Sequence, residues 1–152
     1  MHIVLVEPEI PNNTGNISRT CAVTGSSLHL VRPLGFSTDD KHLKRAGLDY
    51  WQYLDLHYYD SFDEVRERFP CGRFFFATTK AQKYYTEISY QADDFLVFGK
   101  ETAGLPPSIR DANLDHCIRI PMGKDIRSLN LANSVSIILY EALRQQGFAN
   151  LV

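Results

Sequence analysis

Three polar segments of the sequence carry side chains that could bind a ligand, and the first is Pro11-Asn12-Asn13-Thr14-Gly15-Asn16-Ile17-Ser18-Arg19-Thr20. Side-chain amides, the N–H groups of a helix start and a guanidinium can together bind a phosphate or a sugar. In a second interpretation the segment is a polar loop that caps a helix: Asn13 or Thr14 satisfies the free amides, and Arg19 is solvated. The sequence leaves both interpretations open.

The second segment is Leu96-Val97-Phe98-Gly99-Lys100-Glu101-Thr102-Ala103-Gly104-Leu105-Pro106. Its GxxxxG spacing suggests a phosphate loop, but Leu105-Pro106 stand where that loop needs Lys followed by Ser or Thr, so a Walker A motif is excluded. As a strand-to-helix turn, the segment would place Gly99 and Gly104 at positive φ angles. A functional interpretation adds that Gly99 lets a ligand approach the strand end, where Glu101 offers a carboxylate. The two interpretations are compatible.

The third segment runs from Ile118 to Asn133, where a buried strand ends at Pro121 and a loop leads into a long helix. Apolar and polar side chains are interleaved in this loop, at Ile120, Met122, Ser128, Leu129 and Asn130. Such a mixture suits an adenine slot with hydrogen-bonding edges. The alternative is that Ser128 is simply a helix cap.

Short apolar runs alternate with helix-like patterns between these segments. The runs predict strands at residues 2–6, 28–31, 73–77, 95–98 and 117–120. They are continuously apolar, as expected for parallel strands that are buried on both faces. Helices are predicted at residues 14–23, from the capping box that starts at Ser61 to the stop at Pro70, and at residues 130–146, before Gly147.

This alternation predicts an α/β fold with a mainly parallel sheet and flanking helices. No repeat or linker divides the chain, so residues 1–152 are expected to form a single domain. Ligand sites in such folds lie at the carboxyl ends of the strands. The segments after Ala77, Phe98 and Ile120 are therefore expected to meet.

Composition excludes several other classes of protein. The net charge of −2 gives no support to nucleic-acid binding, so only a local basic surface could supply it. Three cysteines without a CxxC pair indicate reduced thiols in a cytoplasmic protein, and five histidines without metal spacing are expected to be structural or exposed. No apolar run is long enough to span a membrane, and no signal peptide is visible.

Two basic clusters could contribute to RNA binding. Tyr84-Tyr85 with Lys80 and Lys83 could stack on bases and steer RNA, although a solvated loop explains them as well. Residues Lys41, Lys44 and Arg45 recur on one face of a short predicted helix and could contact phosphates. An ordinary charged face is the alternative for the second cluster.

In order and spacing, the three segments resemble the three motifs of the SPOUT methyltransferases, in the branch that includes SpoU and TrmH. The resemblance runs along nearly the whole chain, from Val4-Leu5-Val6-Glu7-Pro8-Glu9-Ile10-Pro11 through Arg45-Ala46-Gly47-Leu48-Asp49-Tyr50 to the last helix. The short YibK/TrmL type, tRNA (cytidine/uridine) 2′-O-methyltransferases, is the most similar. The resemblance implies 2′-O-methylation of the wobble nucleotide in the tRNA anticodon loop.

The resemblance also implies a deep trefoil knot in the C-terminal part and a homodimer in which each site is finished by the partner chain. S-adenosylmethionine would be the methyl donor, and no metal would be required. Its binding residues would be Thr78, Thr79, Gly99, Glu101, Gly104, Ile120, Met122, Ser128, Leu129, Asn130 and Ala132. On this basis Gly99→Val is expected to abolish cofactor binding while the chain still folds.

The chemistry requires a ribose 2′-hydroxyl in line with the methyl carbon and a group that helps to remove its proton. The family's arginine, which corresponds to Arg19, is often described as the base, but a guanidinium hardly deprotonates in proteins. Arg19 can instead lower the pKa of the hydroxyl or hold the adjacent phosphate. Asn12, Glu101, Ser128 and Asn130 would help to position the reacting groups and to stabilise the charge that develops on them.

Some alternatives remain open from the sequence. The same fold could methylate ribosomal RNA, or it could be retained in a non-catalytic RNA-binding module. Lys100 occupies a slot where relatives often carry a small residue or proline, and it is either exposed or adds a phosphate contact. The long C-terminal helix is apolar over more than one face, which favours a dimer.

Overall fold

The computed structural model describes residues 1–37, 50–149 and 151–152, apart from the side chain of Trp51. The predicted basic helix with Lys41, Lys44 and Arg45 lies outside the described residues, as does His42. Among the described helices, none is long and apolar enough to cross a membrane.

The described strands form one parallel sheet. Their bounds are β1 (His2–Val6), β2 (Ser27–Val31), β3 (Leu56–Tyr59), β4 (Phe74–Ala77), β5 (Lys83–Tyr84), β6 (Phe95–Phe98) and β7 (Cys117–Arg119). They lie in the order β3-β2-β1-β6-β4-β7-β5, and each neighbouring pair is parallel. The predicted α/β class and its parallel sheet are confirmed.

Helices and 3-10 turns connect the strands. The helices are α1 (Pro11–Thr24), α2 (Phe62–Arg68), α3 (Pro107–Asp111) and α4 (Leu131–Gln145), and the 3-10 turns are Trp51–Tyr53, Tyr85–Glu87 and Leu114–His116. Ser61 caps α2 as predicted, because its Oγ accepts a hydrogen bond from the backbone N–H of Glu64 at 3.3 Å. The first and the last predicted helix are confirmed with shifted ends.

Helix α1 begins earlier than expected, and this changes the interpretation of the first segment. Pro11 opens the helix, because its fixed φ and missing N–H suit the first helical position. The run that starts at Asn12 is therefore helical. The interpretation of Asn13 or Thr14 as a cap is wrong, because Ile10 occupies the cap position and its side chain has no acceptor. Gly25 ends the helix at a φ of 63°.

Both faces of the sheet are buried, as the continuously apolar strands predicted. Side chains alternate along β1, so that Ile3 and Leu5 face α1 and α4 while Val4 and Val6 face α2. The first face is filled by a cluster that includes Ile17, Cys21, Leu28, Leu30, Leu96, Val135, Ile138 and Leu139. The second face is filled by residues that include Phe62, Val65, Phe74, Phe76, Phe95 and Val97.

The segment with Tyr84 and Tyr85 is not a loop, although Lys83 and Tyr84 are exposed as expected. Lys83 and Tyr84 form the short edge strand β5, which pairs with β7. Tyr85 opens a 3-10 turn and packs against the core, while Tyr84 stays 47% exposed. Backbone pairing with β7 is a long-range contact, and the residue types of a two-residue strand do not reveal it.

Candidate functional site

The carboxyl ends of β4, β6 and β7 surround a cavity of about 500 Å³. Ala77 is in register with Phe98 on one side and with Ile118 on the other, so the three strands end at the same level. The segments that follow them therefore emerge together, as expected from their places after predicted parallel strands.

Ten of the eleven residues expected to bind a cofactor line this cavity: Thr78, Thr79, Gly99, Glu101, Gly104, Ile120, Met122, Ser128, Leu129 and Asn130. The eleventh, Ala132, does not line it. Ala132 is buried on the first turn of α4 and packs into the core on the α1 and α4 face of the sheet.

The two glycines after β6 are required for different reasons, and the predicted positive φ angle is wrong for Gly99. Gly104 has a φ of +70° and space around it, as expected for a turn residue. Gly99 does not have a positive φ; a Cβ there would lie 2.0 Å from the carbonyl carbon of Gly104. The chain itself occupies the space that was assigned to a ligand, so Gly99→Val would first disturb the loop.

Glu101 and two asparagines form a hydrogen-bonded cluster beside the cavity, here called the Glu101 cluster. One carboxylate oxygen of Glu101 accepts from the backbone N–H of Glu9 at 2.8 Å. The other accepts from the N–H of Ile10 at 3.2 Å and from Nδ2 of Asn13 at 3.0 Å. Oδ1 of Asn13 accepts from Nδ2 of Asn130 at 3.0 Å. The cluster ties the start of α1 to the loop after β6 and to α4.

Asn130, and not Ser128, caps helix α4. Its Oδ1 accepts from the backbone N–H of Asn133 at 3.2 Å, so the interpretation of Ser128 as the cap is wrong. Ser128 lies on the cavity wall and is exposed. Asn13, which sequence reasoning left out of the site, is buried and also lines the cavity.

Two further carboxylates hold the loop after β6 from the end of β1. Oε2 of Glu9 accepts from the N–H of Thr102 at 3.2 Å and from its hydroxyl at 2.7 Å. Oε2 of Glu7 accepts from Nζ of Lys100 at 3.0 Å, and this bond raises the pKa of Lys100. Lys100 is thus held in an ion pair. The acidic run Glu7-Pro8-Glu9 directly after a strand is the signal that could have indicated these contacts.

Asn12 and Arg19 lie apart from the other residues that were expected to be catalytic. Both are exposed on the outward face of α1, together with Asn16 and Val23, and none of the four lines the cavity. Nη2 of Arg19 donates to the Tyr50 hydroxyl at 3.1 Å. The expected catalytic set is therefore divided within one chain: Glu101, Ser128 and Asn130 at the cavity, Asn12 and Arg19 outside it.

The cavity walls are basic although the chain as a whole is not. Five cationic side chains line the cavity, at Lys80, Lys100, Arg110, Arg119 and Arg127. Arg110 pairs with Asp111 at 2.7 Å. Nε of Arg119 is buried and has no hydrogen-bond partner among the described residues, so it can donate to a ligand.

Candidate metal-ligating side chains are dispersed over the described part of the chain. Within it, no group of three or more His, Cys, Asp or Glu side chains could hold a metal ion. All three cysteines are free: Cys21 and Cys117 are buried, and Cys71 is exposed. The cavity instead offers hydroxyl, amide and guanidinium donors.

A parallel sheet with a mixed polar and apolar cavity at its carboxyl edge defines an α/β protein of the ligand-binding class. The chain belongs to the SpoU rRNA Methylase family, whose model matches residues 1–140. A tRNA (cytidine(34)-2′-O)-methyltransferase of Yersinia pestis is 52% identical over 97% of this chain and 95% of that protein.

Solved structures show the same relationship. A structure from work on the 2-OH methylation of C/U34 on tRNA superimposes with a TM-score of 0.92 at 44% identity, covering 96% of this chain and 95% of the other. The SpoU methyltransferase AviRb of Streptomyces viridochromogenes, in complex with AdoMet, gives a TM-score of 0.83 at 25% identity. That match covers 96% of this chain and 57% of AviRb.

Proposed function

We propose that the chain transfers a methyl group from S-adenosylmethionine to the ribose 2′-hydroxyl of the wobble nucleotide, a cytidine or modified uridine, in the tRNA anticodon loop. One observation carries the proposal: three segments from distant parts of the sequence line a single cavity at the carboxyl edge of the sheet. The family match supports the class of reaction. The Yersinia relative and the C/U34 structure, both similar over nearly their full length, support the substrate.

The cavity suits S-adenosylmethionine in size and in the chemistry of its walls. About 500 Å³ lies within the range of small-molecule sites in proteins. Ile120, Met122 and Leu129 offer apolar contacts for an adenine, and the free Nε–H of Arg119 suits a carboxylate or ribose oxygen. AviRb, a member of the same class, is known with AdoMet bound, which supports the choice of cofactor.

The residues of the chain then have to position the ribose and manage its proton. When bound, the cofactor supplies a methyl carbon that its sulfonium already makes electrophilic. A guanidinium hardly deprotonates in proteins, so in this proposal the charge of Arg19 lowers the pKa of the 2′-hydroxyl or holds the adjacent phosphate. Asn12, on the same face of α1, supports that position.

In this proposal Glu101 holds the residues around the cavity in position, and it does not accept the proton of the 2′-hydroxyl. Its two oxygens accept three hydrogen bonds, from the N–H groups of Glu9 and Ile10 and from Asn13. Protonation would turn an acceptor into a donor and break part of that cluster. Ser128 lines the cavity and is left to contact the cofactor or the ribose. Asn130 also lines it and has a second N–H on Nδ2, beside the one that bonds to Asn13, for the same purpose.

We further propose that the active form is a homodimer in which each chain completes the site of the other. Arg19 lies outside the cavity of its own chain, so in this proposal a second copy brings its Arg19 to each cavity. Exposed apolar side chains on α1 and α4 could be buried by such a contact: Val23 is 49% exposed, Ile137 37% and Tyr140 44%.

The proposal extends to the architecture and location of the chain. A single domain over residues 1–152 is supported by the sheet, because β1 from the first residues lies beside β6, and β7 from residues 117–119 lies between β4 and β5. A trefoil knot in the C-terminal part is expected of this family; α4 packs back on α1 and β6, close to the Glu101 cluster. The cytoplasm is the proposed location, because tRNA is the proposed substrate.

The decisive experiment uses the purified chain with labelled S-adenosylmethionine and, separately, bulk tRNA and bulk ribosomal RNA. We expect label in tRNA, and nucleoside mass mapping should place the 2′-O-methyl group at position 34. Label in ribosomal RNA alone would favour ribosomal RNA, the substrate that the family's name gives, over tRNA. Failure to bind the cofactor, with no label in either RNA, would favour a non-catalytic RNA-binding module.

A further inference from the structure

Arg19 is held by an aromatic side chain. Nη2 of Arg19 donates to the hydroxyl of Tyr50 at 3.1 Å, and the guanidinium carbon lies 4.6 Å from the centre of the Tyr50 ring. Arg19 is exposed, whereas Tyr50 is half-buried. The ring is therefore the fixed partner, and the guanidinium keeps a side that faces solvent.

This kind of contact orients a cation without neutralising it. A long arginine side chain occupies many rotamers unless a neighbour restricts them. Elsewhere in the chain Arg32 pairs with the carboxylate of Asp60 at 2.9 Å, which restricts the guanidinium but cancels its charge. The π face and hydroxyl of Tyr50 restrict Arg19 and leave its full charge and most of its donors available.

The backbone fixes Tyr50 in place. The N–H of Tyr53 donates to the carbonyl oxygen of Tyr50 at 2.9 Å, which starts the 3-10 turn Trp51–Tyr53. This turn packs against α1, the helix that carries Arg19. The Tyr50 ring and the Arg19 backbone thus belong to elements that are held together independently of the contact between their side chains.

We propose that Tyr50 is the positioning residue for Arg19: it holds the guanidinium, still fully charged, in the orientation that the methyl-transfer reaction needs. This inference rests on the proposed function, because it gives Tyr50 a role in the same reaction. The stacked ring supplies most of the restriction, and the hydroxyl sets the rotation of the guanidinium plane.

The test compares Tyr50→Phe, which keeps the ring and removes the hydroxyl, with Tyr50→Leu, which removes both. Single-turnover methylation of bulk tRNA with labelled S-adenosylmethionine should slow by about tenfold or more for the leucine variant and by about threefold for the phenylalanine variant. Cofactor affinity, measured by calorimetry, should stay unchanged in both. A full rate for Tyr50→Leu would overturn the proposal.

A double-mutant cycle separates action through Arg19 from a general structural effect. In an Arg19→Ala background, Tyr50→Leu should cause no further loss of rate, because the side chain that it positions is gone. A loss that simply adds to that of Arg19→Ala would overturn the positioning role.

A spectroscopic measurement on the wild-type protein keeps the test independent of variant folding. The Nε–H proton of Arg19 should resonate upfield of its usual position, because the guanidinium carbon lies over the Tyr50 ring; Arg19→Ala identifies the signal. An unshifted signal would overturn the contact. If the wild type methylates no tRNA, the proposed function fails and takes the role of Tyr50 with it, whereas an active wild type with a fully active Tyr50→Leu overturns the role alone.

Discussion

At the residue scale, the carboxylate of Glu101 decides how two asparagine side chains are oriented. An ionised carboxylate can only accept, so Asn13 must turn its NH2 group towards Glu101 and its oxygen towards Asn130. Asn130 must then donate to Asn13, which leaves its oxygen to cap α4. One acceptor thereby fixes the polarity of a chain of hydrogen bonds on the cavity wall.

Glu101→Gln tests this chain directly. The amide keeps one acceptor oxygen and places an NH2 group against a backbone N–H or against Asn13, so one buried donor loses its partner. We expect a loss of about 1–3 kcal/mol in the free energy of unfolding, measured with urea. Glu67→Gln, on the exposed face of α2, is the matched control and should be nearly neutral. Equal stability of both variants would contradict this account of the cluster.

At the element scale, the loop after β6 depends on two glycines for different physical reasons. Gly99 lacks room for a Cβ because the Gly104–Leu105 peptide lies against it. Gly104 has room but adopts a φ of +70°, as Gly25 does at the end of α1 with a φ of +63°. Crowding and backbone strain can therefore be compared within one chain.

Three alanine variants separate these causes. Gly25→Ala and Gly104→Ala should each lose about 1–2 kcal/mol from left-handed backbone strain. Gly99→Ala should lose about 3 kcal/mol or more, because a backbone segment has to move. Calorimetry with S-adenosylmethionine should find weaker binding for Gly99→Ala and Gly104→Ala, while Gly25→Ala binds normally. Weakened binding in Gly25→Ala would mean that instability alone explains the loss.

The sequence predicts those elements whose signals are local. The apolar run at residues 95–98 coincides with β6, and Ser61 caps α2 as its spacing indicated. The edge strand Lys83–Tyr84 has no local signal, since it exists only through pairing with β7. Asn13 was missed for the same reason: its partners lie 88 and 117 positions further along the chain. Motif order indicated the cavity, but not the separation of Arg19 from it.

At the scale of the whole molecule, a row of histidines crosses β1, β2 and β3 on the face of the sheet that packs against α2. Nδ1 of His2 lies 3.0 Å from Nε2 of His29, whose ring stacks on His57 and whose Nδ1 lies 3.2 Å from the hydroxyl of Tyr59. Burial, followed by the nearby charges of His2 and His57, lowers the pKa of His29 to about 3. Burial also lowers the pKa of His2.

These shifts predict that acid destabilises the fold. Between pH 6.5 and 3 the unfolded chain protonates His29 and the folded chain does not, so the free energy of unfolding falls as pH falls through that window. His29 alone should cost about 2 kcal/mol between pH 7 and pH 5. Urea titrations at both values should find this loss in the wild type and a smaller one in His29→Leu, which retains only the share from His2. Identical losses would exclude His29 as the cause.

The proposed dimer would bring together the two groups into which the expected catalytic residues are divided. Asn12 and Arg19 lie on the outward face of α1, whereas Ser128 and Asn130 line the cavity. In an isolated chain the guanidinium would have to leave Tyr50 to reach that cavity. In a two-fold dimer, by contrast, the same surface of each chain contacts the other. If that contact brings Arg19 of one chain to the cavity of its partner, the symmetry brings the partner's Arg19 to the cavity of the first chain as well.

Mixed dimers discriminate between these arrangements. Arg19→Ala should slow methyl transfer roughly a hundredfold or more without weakening cofactor binding. Asn130→Ala should also slow methyl transfer, but by disturbing the cavity of its own chain. If sites are shared, a dimer of one chain of each kind has one intact site, made from the normal cavity of the Arg19→Ala chain and the arginine of the other. Unfolding and refolding an equal mixture makes about half of the dimers mixed, so about one quarter of the wild-type rate should return. Each variant treated alone is the control. If the refolded mixture stays as inactive as its parents, each chain uses its own Arg19, and the shared site is wrong.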